Sequence, residues 1–169
     1  MMVMQNRKEL RLQEYDYSQN GYYFVTICTK DRENLLSRVV GGGVLDAPSV
    51  ELSKYGKIVE SRIEEINKVY STKRIEKYVI MPNHVHFILV VNEGEAQGPS
   101  RTPAPTRANE SVPAFVSTLK RFTNRESGTM LWQRGYYDHV IRNEEDYLAV
   151  WQYIETNPVK WELDQYYTD

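Results

Sequence analysis

His84 and His86 open the run His84-Val85-His86-Phe87-Ile88-Leu89-Val90-Val91, whose β-branched and aromatic composition predicts a strand. Alternation along a strand sends both imidazoles to one face and Val85, Phe87, Leu89 and Val91 to the other. The apolar set accounts for the core side and leaves the histidines facing outward together, spaced as two ligands of one metal ion. Two histidines do not complete a site. The segment Tyr153-Ile154-Glu155-Thr156-Asn157 offers the rest, because a phenol and an amide four residues apart share one helical face. At about 100° per residue both fall to the same side of the stripe Tyr147, Val150, Trp151 and Ile154. Burying that stripe on a sheet sets Tyr153 and Asn157 at the helix edge, overhanging the histidine strand, where one can bind metal and the other attack.

The elements that must bring these groups together are readable in outline. Tyr22 to Thr29, after the turn-like Ser18-Gln19-Asn20-Gly21, predicts a first strand. A weakly structured stretch with Gly41-Gly42-Gly43 and Pro48 leads to Ser53, which caps a helix over about 53–69. Strands follow at 74–80 and 84–91, joined by the turn Met81-Pro82-Asn83. Residues 92–110 hold three of the seven prolines and almost no apolar side chains, and read as a mobile loop. Ser111 then caps a helix with Val112, Phe115, Val116, Leu119 and Phe122 on one face. Tyr136 to Arg142 predicts a short strand, and Asn143 caps a last helix that Pro158 ends. The order strand, helix, strand, strand, helix, strand, helix is the split pattern of an α+β, ferredoxin-like antiparallel sheet. Helices cover one face, a C-terminal helix is added, and a ligand has the other face or one end of the sheet.

The chain of 169 residues reads as one domain, 1–169, with a net charge of −2 that argues against indiscriminate coating of nucleic acid. Basic residues nonetheless cluster at Arg7, Lys8 and Arg11, and again at Lys120, Arg121, Arg125, Arg134 and Arg142. A single cysteine excludes an internal disulfide and a multi-cysteine metal site, and points to a reducing compartment. No apolar run approaches the roughly 18 residues of a membrane span, and the opening residues lack the apolar core of a signal peptide, so a cytoplasmic protein is expected.

Three blocks, Met81-Pro82-Asn83-His84-Val85-His86, Trp132 to Asn143 and Tyr153 to Lys160, together with Tyr15-Asp16-Tyr17-Ser18 and the first strand, resemble the REP-associated tyrosine transposases. These belong to the insertion-sequence-200-like, single-tyrosine branch of the HUH endonucleases. The resemblance implies a nuclease that cuts and rejoins single-stranded DNA at or beside a hairpin, acting at the nucleoid as a monomer or a homodimer. It implies His84, His86 and Asn157 as ligands of Mg2+ or Mn2+, and Tyr153 as the nucleophile that forms a 5′-phosphotyrosine. Lys160 and His139 are candidate helpers, and Tyr136 and Tyr137 are rival nucleophiles. Lys120, Arg121, Arg125, Arg134 and Arg142 are candidate phosphate contacts, and Trp132, Tyr136 or Tyr137 candidate stacking platforms for unpaired bases. Two other readings stand beside this one: a DNA or RNA binder that no longer cuts, and a metal-dependent phosphodiesterase without a covalent intermediate.

Overall fold

The computed structural model describes residues 19–43, 46–92 and 111–168. The Arg7, Lys8 and Arg11 cluster, the Tyr15 to Ser18 block and all but the first residue of the 92–110 loop lie outside the described residues. Four strands form one antiparallel sheet: β1 (Gly21–Cys28), β4 (Lys73–Ile80), β5 (His84–Val91) and β6 (Tyr137–Ile141), in the order β4-β5-β1-β6. With helices α1 (Lys54–Val69), α2 (Ser111–Ser127) and α3 (Glu144–Thr156), this is the ferredoxin-like arrangement that the element order predicts. A two-stranded hairpin, β2 (Ser37–Val40) and β3 (Ser49–Leu52), occupies the stretch expected to be weakly structured. Its strands are too short to carry a periodic signal, and Gly41 and Gly42, at φ 87° and 99°, make the turn that an L side chain resists.

Alternation divides the sheet between two cores. Tyr23, Val25, Ile27, Val85, Phe87 and Leu89 pack with Val59 and Ile63 of α1 and with Val112, Val116 and Leu119 of α2. Phe24, Ile88 and Ile141 face the opposite way and meet Val150 and Ile154 of α3, with Tyr147 and Trp151 at the margin. The predicted stripe of α3 is therefore the buried one. It lies on the histidine face, so that face is roofed rather than open: His84 and His86 are 0 % and 1 % exposed, against the expectation that they face outward. Ser53 and Asn143 cap α1 and α3 as expected, each side chain accepting from backbone N–H groups of the first turn. Among the described residues, no helix is long and apolar enough to cross a membrane.

Gly56 shows how tightly α1 seats against the segment that leads into the hairpin. A Cβ at this position would stand 2.1 Å from the Leu36 carbonyl oxygen, which is backbone and cannot swing aside. Gly56→Ala is therefore expected to destabilise the protein by roughly 2–3 kcal/mol despite alanine's better helix propensity, which a urea unfolding curve would show.

Candidate active site

The site is built from the end of β5 inward. The hairpin turn between β4 and β5 is closed by Met81 N–H donating to the His84 carbonyl at 2.9 Å. Thr29 holds the turn from the next strand, its N–H and its hydroxyl both donating to the Asn83 carbonyl, at 2.9 and 3.0 Å. Asn83 is thereby fixed, and its side chain fixes a histidine. Its Nδ2 donates to the Tyr166 carbonyl at 2.7 Å, so its Oδ1, 2.9 Å from His84 Nδ1, is an acceptor. His84 therefore carries its proton on Nδ1 and presents a bare Nε2 lone pair. His86 Nδ1 lies 2.7 Å from the hydroxyl of Thr26, its register partner on β1, which leaves Nε2 facing α3.

Burial holds both rings neutral. It pushes His84 down to about 4, with Asp164 partly opposing the effect and Arg32 adding to it. His86 is held well below its ordinary value by burial first and by His84 second. Neutral imidazoles are what a metal needs. The same shift has a cost in stability. His84 takes up a proton in the unfolded chain near 6.5 but in the native state only near 4. The contribution of this group to the stability of the metal-free protein is thus full above pH 6.5, falls away as the pH drops from 6.5 to 4, and is lower by roughly 3 kcal/mol below 4. Melting temperatures across that range are expected to drop less steeply in His84→Asn than in the wild-type chain.

α3 delivers the second half of the site. The Tyr153 hydroxyl stands 3.4 Å from His86 Nε2 and 3.4 Å from Asp164 Oδ2, and its ring lies 5.1 Å from the His86 ring. Asn157, at the C-terminal end of α3 and 2 % exposed, donates from Nδ2 to Asp164 Oδ2 at 2.8 Å. Its Oδ1 is buried without a partner, and so is His84 Nε2. Two orphaned acceptors at one place, beside a second imidazole, form a donor set that a divalent cation would satisfy. The residues present fit such an ion. Burial above all, then Asp164 and Tyr166, holds the Tyr153 phenol well above its usual range. A cleft of about 280 Å³ lined by Tyr153, Asn157, Lys160, Leu163, Asp164 and Gln165 gives access from solvent.

The other sequence candidates divide. Lys160 lies exposed on the rim of this cleft. His139 shares the histidine face but pairs with Asp146 of the first turn of α3, at 2.9 and 3.0 Å, and so anchors that helix instead of serving the site. Trp132 is 5 % exposed and donates its indole N–H to the Thr123 hydroxyl at 2.7 Å, so it belongs to the core and offers no platform for a base. Lys120 is likewise corrected: its ammonium donates to the carbonyls of Gln133 and Gly135, and burial pushes it down to about 8. Arg121, Arg125, Arg134 and Arg142 are exposed. Tyr136 packs toward the α1/α2 core, whereas Tyr137 pairs with Thr26 and faces the same side as the histidines, 38 % exposed.

Sequence reasoning passed over Asp164, Tyr166 and the tethering role of Asn83. Tyr166 lays its ring 4.6 Å from that of His84, under the Arg32 guanidinium at 4.8 Å. Besides Tyr166, Asn83 Nδ2 reaches Thr168 Oγ1 and the Arg32 carbonyl at 3.2 and 3.3 Å. Asn83→Ala should release the His84 tautomer and the C-terminal segment together. Metal affinity is expected to fall by about 10–100-fold, and stability by roughly 2–3 kcal/mol, in a Mn2+ titration and a thermal melt.

No family model matches the chain. An uncharacterised protein of Haemophilus influenzae is 33 % identical over 177 residues, covering 97 % of this chain and 94 % of that protein. The REP-associated tyrosine transposase of Escherichia coli K12 is 31 % identical over 86 residues, which cover 51 % of this chain and 44 % of that protein. Among solved structures, that of a REP-associated tyrosine transposase bound to a REP hairpin superposes with a TM-score of 0.61. It is 22 % identical, with 89 % of this chain and 73 % of that chain covered.

Proposed function

The chain belongs to the REP-associated tyrosine transposase family, and on that premise we propose that it cleaves and rejoins single-stranded DNA at hairpin-associated sites through a covalent 5′-phosphotyrosine. The observation that carries this reading is the convergence of Tyr153, on α3, with His86, on β5, at 3.4 Å, beside the unpartnered acceptors of His84 and Asn157. Binding alone requires no such meeting of groups 67 residues apart in sequence.

His84, His86 and Asn157 are the residues that would hold Mg2+ or Mn2+. A cation bound there supplies a Lewis acid that withdraws charge from the phosphate oxygens and favours the phenolate. The chain's own residues do the rest. The cleft admits the phosphodiester, with Lys160 at its rim as a counter-charge. Tyr153 loses its proton and attacks phosphorus. The new bond joins the phenolic oxygen to phosphorus, and the bond from phosphorus to the 3′ oxygen breaks. The 3′ oxygen takes up a proton and leaves as the hydroxyl that ends the upstream segment, and the segment 3′ of the cut stays on Tyr153 through its 5′ phosphate. A phenolate, with an ordinary conjugate pKa near 10, leaves more readily than an alkoxide, so a 3′-hydroxyl can reverse the step and rejoin strands. Because the phenol is held above its usual range, attack waits for a neighbouring positive charge, and DNA without metal should bind uncut.

All of these groups come from one chain, which supports a site complete within a single copy. Exposed Arg121, Arg125, Arg134 and Arg142 are the candidate phosphate contacts that remain. The hairpin in the solved relative suggests the partner: a single strand bearing a palindromic hairpin. The test is incubation of the protein with such a labelled strand and Mn2+. A denaturation-resistant protein–DNA adduct supports the proposal. Cleavage without adduct favours a phosphodiesterase, and binding without cleavage favours a binder that no longer cuts.

A further inference from the structure

Asp164 lies beyond α3, seven residues past Asn157, in the segment that covers the histidine face. One donor atom each from His84, His86 and Asp164 lie within 4.8 Å of one another. Three ligands spread evenly about 2.1 Å from a shared ion stand about 3.6 Å apart, so a closure of roughly 1 Å would bring all three to bonding distance. The carboxylate is oriented for this. Its Oδ1 accepts the Tyr166 backbone N–H at 2.8 Å, which turns Oδ2 toward the centre of the cluster, where Asn157 Nδ2 meets it at 2.8 Å and the Tyr153 hydroxyl at 3.4 Å. Among the described residues Asp164 makes no ion pair, although it is half-buried beside two neutral rings.

We propose that Asp164 is a fourth protein ligand of the cation, the one anionic donor of the site, and that it sets the preference for hard divalent ions. The inference rests on the reading of His84 and His86 as a metal pair and deepens it. The electrostatic argument is a sum of charges. Two neutral imidazoles and an amide leave the full double charge of the ion in a site of low dielectric, where uncompensated charge is costly. One carboxylate halves it, and one phosphodiester cancels the remainder, so the site approaches neutrality when DNA is bound. Carboxylate oxygen also favours Mn2+ and Mg2+, whereas a site of imidazoles alone leans toward Zn2+.

The experiment is isothermal titration of the metal-free full chain with MnCl2 and, separately, ZnCl2, for the wild type, Asp164→Asn and His84→Ala. Asp164→Asn is expected to weaken Mn2+ binding at least about tenfold while weakening Zn2+ binding distinctly less. Equal Mn2+ affinity in Asp164→Asn and the wild type overturns the proposal, and so does an equal loss for both ions, which a merely structural role would give. Where Asp164→Asn lowers the metal-free melting temperature by more than a few degrees, Asp164→Glu decides: Mn2+ binding retained within a few-fold supports the anionic ligand, and Mn2+ binding lost from a folded chain overturns it. Mn2+ binding that survives Asp164→Asn but vanishes in His84→Ala removes Asp164 and leaves the histidine pair standing. A wild type that binds neither ion removes both.

Discussion

Tyr153→Phe abolishes adduct formation and lowers strand cleavage by about 10⁴-fold or more, while leaving the fold and the affinity for hairpin DNA intact. The size follows from the role: a nucleophile has no substitute within the site, and a loss of this order corresponds to roughly 5–6 kcal/mol of transition-state stabilisation. The fold survives because the hydroxyl's two contacts are long, 3.4 Å each, and the ring stays where it packs, edge-on to Phe24 at 5.9 Å. The stability change should stay within about 1 kcal/mol. A quench assay on a labelled hairpin-bearing strand, run beside a thermal melt, reads both quantities. Residual cleavage at a tenth of the wild-type rate would mean that another group attacks.

The second large effect belongs to the histidines. Mn2+ at about one hundred times its dissociation constant stabilises a native-state site by roughly 2.7 kcal/mol, which raises the melting temperature of a chain this size by about 5–10 °C. His84→Ala and His86→Ala should lose that rise together with all cleavage, while hairpin binding stays within a few-fold. In the metal-free state two effects oppose each other at residue 84. Truncation opens a cavity beneath Tyr166 and Trp161, whose rings lie 4.6 and 5.8 Å from that of His84, but it also removes a buried nitrogen without a partner. The diagnostic quantity is therefore the metal-induced shift, not the absolute melting temperature. A full shift in either variant would make the histidine pair a structural feature.

What the sequence made legible is whatever a period can encode. Alternation over His84 to Val91 assigned the imidazoles to one face and the core residues to the other. The helical stripe Tyr147, Val150, Trp151 and Ile154 named the buried side of α3 and, with it, the position of Tyr153 and Asn157. What escaped lies where no period operates. Past Pro158 the chain runs through a short 3-10 turn at Trp161–Leu163 and a further turn at Gln165 and Tyr166, so nothing local indicated that Asp164 and Tyr166 would return over the histidines. Burial of that face followed from the same omission. Lys120 and Trp132 were misjudged for a different reason: charge and aromaticity announce a surface role only when the side chain faces solvent. Lys120 turns instead to the carbonyls of Gln133 and Gly135, and the Trp132 indole is spent on Thr123.

The central claim, that Tyr153 is the atom-bearing partner of the scissile phosphate, is tested most directly by mapping the covalent product. Wild-type protein trapped on a hairpin-bearing single strand with Mn2+, digested with nuclease and trypsin, should yield one phosphonucleotide-modified peptide. Fragmentation mass spectrometry should place the modification on Tyr153. Attachment at Tyr137, which shares the histidine face two strands from His86, or at Tyr136, would contradict the account.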